Sequence, residues 1–91
     1  MTVDVVLLRS FAVEDYNGDV WSYEYVPATK EVIYRISCLD EIWSLGNAET
    51  FEDAHKILKA NFDVETSDTL NKLISINGKN VVIGLNSKDV E

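Results

Sequence analysis

The chain has one cysteine, one proline and one histidine in 91 residues. A lone cysteine, Cys38, forms no internal disulfide, so nothing covalent staples the fold and a reducing, cytoplasmic setting is expected. A lone histidine, His55, is short of the base, nucleophile and orienting group of a hydrolytic triad. With Cys38 it is also short of the three or four ligands of a zinc site. No apolar run approaches the roughly 18 residues of a membrane helix. No basic stretch precedes the first apolar residues, so no signal peptide is expected. Gly-rich phosphate loops and a G-x-S-x-G elbow are missing too. No cofactor or metal is therefore expected, and catalysis is not the function these residues point to.

Basic charge is the other shortage. Eight bases stand against sixteen acids, a formal net charge of −8. The excess is spread evenly: −3 over residues 1–30, −3 over 31–60 and −2 over 61–91. Nucleic-acid binding needs several cations converging on one surface. Lys72, Lys79 and Lys88 are too scattered for that, so no direct nucleic-acid contact is expected. An anionic membrane would repel the chain, whereas a basic protein would be steered toward it.

What remains is ordinary globular composition, 46% hydrophobic and 26% charged, enough for a single domain over residues 1–91. Residues 3–13 read as a strand with apolar side chains on both faces. Asn17-Gly18 is a hairpin signal, since both residues tolerate positive φ. Residues 20–26 alternate, with Trp21, Tyr23 and Tyr25 on one face, and Pro27 ends that strand. Residues 31–39 form a third strand, Val32, Tyr34, Ile36 and Cys38 sharing a face. Residues 42–45 form a short fourth.

Thr50 followed by Asp53 is a partial capping box, and Phe51, Ala54, Ile57, Leu58 and Phe62 recur at helical spacing. The spacing predicts a helix near residues 50–62, breaking at Asn61-Phe62-Asp63. Residues 67–76 fit either a helix stopped by Gly78 or the first arm of a hairpin turning at Asn77-Gly78. The hairpin is favoured. It pairs Ile76 with Lys79, Ile74 with Val81, Lys72 with Ile83 and Leu70 with Leu85, which gathers the apolar residues on one face. Residues 88–91 read as a frayed tail. The expected fold is α+β: an antiparallel four-stranded meander packed by one amphipathic helix, followed by a C-terminal β-hairpin, or a short helix plus strand.

Asp15 to Asp19 superficially resembles a calcium loop, but Val20 and Val26 occupy the positions that need Gly and Glu. Cys38 reads as a small packed hydrophobe and His55 as a partly exposed helix residue. The strand-strand-strand-helix order, with Gly46 to Leu58 leading into the helix, resembles that of small three-stranded DNA-binding modules. Those carry basic sheets and this one carries Glu24, Glu31 and Asp40, so no function is carried across.

The aromatic group Trp21, Tyr23 and Tyr25, with Tyr34 and Trp43, has two readings: cross-strand packing under the helix, or an exposed face for a partner. One helix covers one sheet face, so a second copy or another protein could cover the other, and a homodimer is possible. The expected function is a non-enzymatic interaction module. An acidic inhibitor, an immunity-type protein or a nucleic-acid mimic would each occlude a basic protein partner. Trp21, Tyr23 and Tyr25 would anchor the contact, and Glu14, Asp15, Asp19 and Glu24 would steer it. The alternative is a small-ligand-binding or enzymatic domain whose pocket, lined by Tyr, Trp and His55, forms at a homodimer interface.

Overall fold

The structure is a computed structural model and describes residues 7–67 and 70–81. Strands β1 (Ser10–Glu14), β2 (Val20–Val26), β3 (Glu31–Ile36) and β4 (Trp43–Asn47) form an antiparallel meander. Helix α1 (Phe51–Ser67) crosses one face and delivers the chain to the far side of β1. There β5 (Lys72–Ile76) pairs with β1 and turns into β6 (Lys79–Asn80). The sheet has six strands in the order β4-β3-β2-β1-β5-β6. This is the expected α+β fold. No helix among the described residues is long and apolar enough to cross a membrane.

Local chemistry explains the elements. At the first hairpin Gly18 takes φ +88° and its N–H bonds the Asp15 carbonyl, a tight turn closed by the glycine's left-handed conformation. β2 spans the expected residues and ends before Pro27. β3 stops at Ile36, because the Leu39 N–H bonds the Ile36 carbonyl and turns the chain. Cys38 is therefore an exposed loop residue, not a packed strand residue. Of the expected strand over residues 3–13, β1 starts only at Ser10, Leu7 to Arg9 preceding it outside the strand, and residues 3–6 lie outside the described residues.

The Thr50 hydroxyl accepts the Asp53 N–H at 3.1 Å, the capping bond expected there. The helix does not break at Asn61 to Asp63. Asn61 donates to the Ile57 carbonyl, Lys59 pairs with Asp63 one turn on, and Thr66 donates to the Phe62 carbonyl. These local bonds accompany a further turn beyond Phe62, whose ring is buried against Phe11.

The core lies between helix and sheet: Phe11, Val13, Tyr23, Tyr25, Val32 and Leu73 from the strands meet Ala54, Leu58 and Phe62. A bulge in β5 matters here. Val13 faces Leu73 while Ala12 faces Ser75, so Ile74 is the extra residue, and Leu73 and Ile76 both reach the helix side. Strict alternation had set them on opposite faces. The hairpin register at Ile76–Lys79 agrees with expectation, and the Val81 N–H bonds the Ile74 carbonyl. The pairs involving Ile83 and Leu85, and the tail at 88–91, lie outside the described residues.

The opposite face is less apolar than the first strand implied. Its rungs run Ser10–Glu24–Ile33–Ser44 and Ser75–Ala12–Ser22–Arg35, small and polar for the most part. Such a face can meet water directly.

Asn77 ties the hairpin to the start of β1. Its Oδ1 accepts the Arg9 and Ser10 N–H groups at 2.7 and 3.2 Å, its Nδ2 donates to the Leu7 carbonyl, and its φ is +52°. Alanine offers none of these bonds and tolerates that φ poorly. Asn77→Ala is expected to cost about 1–3 kcal/mol in urea unfolding. A midpoint unchanged from the parent would show that the turn is held by other means.

Candidate interaction surface

Cross-strand register places Phe11, Tyr23, Tyr34 and Trp43 on one rung through β1, β2, β3 and β4. All four rings project to the helix side. They stack in sequence, with centroids 4.5, 5.6 and 5.3 Å apart and planes within 10°, 17° and 27°. Neighbouring strands lie about 4.8 Å apart, so a ring at each position of one rung falls naturally into stacking distance. Trp21, one rung along, stacks on Tyr34 at 6.2 Å.

The ladder grades from core to surface. Phe11 and Tyr23 are 1% and 5% exposed beneath the helix, whereas Tyr34, Trp21 and Trp43 are half-buried. Packing under the helix therefore holds for Phe11 and Tyr23, while Trp21, Tyr34 and Trp43 are only partly covered. For two of the expected anchors the structure is a correction. Tyr23 and Tyr25 are buried by the helix, with Tyr25 donating to the Ala48 carbonyl at 2.8 Å, so neither ring is presented to a partner. Trp43, on the edge strand β4, is half-buried.

Connectivity gathers acids at the same end. The turn at 15–19, the loop at 37–42 and the last turn of α1 all lie at the end of the sheet that carries Trp21 and Trp43. They bring Asp15, Asp19, Asp40, Glu41 and Glu65. The last helical turn holds no basic residue, so its carbonyl ends add negative potential there. Asp40 and Glu41 are exposed, and among the described residues neither they nor Asp19 form an ion pair. Of the other expected steering acids, Glu14 pairs with Lys72 at 3.5 Å, and Glu24 sits on the face away from the rings.

Two carboxylates hold the ladder in place. Asp15 Oδ2 accepts the Trp21 indole N–H at 3.0 Å, while Oδ1 accepts the Asn17 and Asp19 N–H groups. The bond from the Trp21 indole is the largest influence on the Asp15 carboxyl; burial opposes it, and with the added help of the backbone N–H groups of Asp19, Asn17 and Gly18 the carboxyl is held below its ordinary value of 3.8. Glu65 accepts the Tyr23 hydroxyl at 3.1 Å and the Asn71 amide at 3.0 Å. Burial, followed by the Glu65 charge, pushes the Tyr23 hydroxyl far above the usual phenol range, so it remains a donor.

A lowered folded value means that the Asp15 contribution is complete above 3.8 and fades as pH falls through the folded value. In an NMR titration the Asp15 carboxyl carbon is expected to show a midpoint below 3.8, and Trp21→Phe should raise it. An unchanged midpoint in that variant would remove the indole as the main cause.

His55 is held in the fold: its Nδ1 accepts the Leu8 N–H at 2.7 Å and ties the segment before β1 to the helix. On the face away from the helix, a shallow depression of about 290 Å³ is lined by Val20, Ser22, Arg35, Ile36, Ser37 and Leu39. Among the described residues, its lining includes no carboxylate, histidine or tyrosine. Among the described residues, no three His, Cys, Asp or Glu side chains group closely enough to hold a metal ion. Comparison with family models, with curated proteins and with solved structures finds no match for the chain.

Proposed function

We propose that this chain is a non-enzymatic interaction domain that docks on a basic protein and occludes it, in the manner of an inhibitor, an immunity protein or a nucleic-acid mimic. The observation that carries the reading is the half-buried Trp21–Tyr34–Trp43 stack set near Asp19, Asp40 and Glu41, acids that form no ion pair among the described residues. Rings of this kind give contact area at low entropic cost. Fixed acids around them accelerate encounter with a positive surface and reject negative ones. Asp19, Asp40 and Glu41 are the steering groups, with Trp21 and Trp43 as anchors and Asp15 holding Trp21 in place.

The test is capture from the native host on immobilised protein, with elution in steps of salt and identification by mass spectrometry. The expected result is a basic protein that elutes progressively between about 0.1 and 0.5 M salt, over which the Debye length falls from roughly 10 toward 4 Å. An acidic captured protein, or retention indifferent to salt, would contradict the proposal.

A further inference from the structure

The two edges of the sheet differ. β6 spans two residues and carries Lys79, a charge that discourages pairing. β4 spans five residues, Trp-Ser-Leu-Gly-Asn, with no charge and no proline, and no described strand lies beyond it. An uncharged open edge is a template for another strand. Trp43 marks it further. One ring face stacks on Tyr34 at 5.3 Å, and among the described residues no ring or cation stacks on the other. The ladder thus stops at the edge with a place for one more planar group.

Charge indicates what fits. Asp40 and Glu41 immediately precede β4, and Glu49, Glu52 and Asp53 follow it. Among the described residues, only Glu49 of these five has a cationic partner, Lys30 at 2.9 Å. A second copy would bring the same acids against these. A basic strand would neutralise them. The chain already uses the relevant contact internally: the Arg9 guanidinium lies 4.5 Å over the Phe51 ring. Guanidinium is planar and weakly hydrated, so it stacks on an indole face better than ammonium does. The bulge that makes Leu45 an extra residue in β4 limits pairing to a short stretch beginning at Trp43.

We infer that β4 receives an extended arginine-rich segment of the partner as an added strand, with one arginine stacked on the outer face of Trp43. This rests on the basic-partner reading and names its mode of contact.

The test uses three synthetic peptides of about ten residues: alternating arginine and threonine, its lysine counterpart, and the arginine peptide N-methylated at alternate backbone positions. N-methylation removes main-chain donors from the ligand and leaves the protein untouched. Binding is followed by amide shifts, with Trp21 left in place. The arginine peptide is expected to saturate, to shift and protect the amides of Trp43 to Asn47, and to bind about threefold tighter than the lysine peptide. N-methylation, and separately Trp43→Ala, should each weaken it about tenfold. If the N-methylated peptide binds equally well, strand addition is wrong while the basic-partner reading survives. If no basic peptide binds, both fall. If β4 amides are protected without peptide in a dimer, the occupant is a second copy and the inference is overturned.

Discussion

Phe11→Ala should remove a large share of the stability of the domain and weaken the near-ultraviolet signal of its stacked rings. Phe11 is 1% exposed, lies 4.5 Å from the Tyr23 ring and meets Phe62 edge-on at 5.3 Å. Removing a buried phenyl ring costs about 3–5 kcal/mol, through lost transfer energy and the cavity left behind. A domain of this size has roughly 5–14 kcal/mol to lose. At a urea dependence of about 1–3 kcal/mol per molar, the midpoint should fall by at least ~1 M. The effect should be smaller for Tyr34→Ala and Trp43→Ala than for Phe11→Ala, because both outer rings are only half-buried. Equal losses at Phe11 and Trp43 would mean that the stack is core throughout and that its outer rings are not available for contact.

Neutralising Asp19, Asp40 and Glu41 together, as Asn, Asn and Gln, should lower affinity for the captured basic partner about 10–100-fold at low salt. Most of that loss should fall in the association rate, since charges in the proposed steering role act on the encounter. Stability should be little changed, because none of the three forms an ion pair among the described residues. Asp15 is left intact in this variant, since losing its bond to the Trp21 indole would confound steering with positioning. Stopped-flow association at two salt concentrations separates the outcomes. An association rate equal to that of the parent at low salt would remove the acids from the docking step.

Much of the fold was legible because alternation and turn chemistry are local. The limits of β2, the Thr50 cap and the turn at Asn77-Gly78 follow from residues within a few positions of each other. What was not legible depends on distant partners. The bulge that turns both Leu73 and Ile76 inward is set by pairing with β1, some sixty residues earlier. Helix α1 continues past Asn61 with Phe62 set against Phe11 and Glu65 against Tyr23 across the sheet. The Asn77 side chain bonds backbone that lies 67 to 70 residues away, which a turn signal does not announce.

The candidate surface was half legible. An aromatic-rich strand was plain, but which rings the helix covers depends on its path, and that path buries Tyr23 and Tyr25 while leaving Trp21 and Trp43 at the margin. Trp43 as the end of a stack could have been found from a rung-by-rung alignment of the meander. Each hairpin turn fixes the next register, and the four rings then line up.

The most direct measurement is a hydrogen-exchange footprint of the chain in complex with its captured partner. The account predicts added protection at the turn 15–19, the loop 37–42 and β4. Protection confined to the turn at 27–30, to the Asn77-Gly78 hairpin or to the face carrying Ser22 and Arg35 would contradict it, because contact would then lie away from the rings and the unpaired acids.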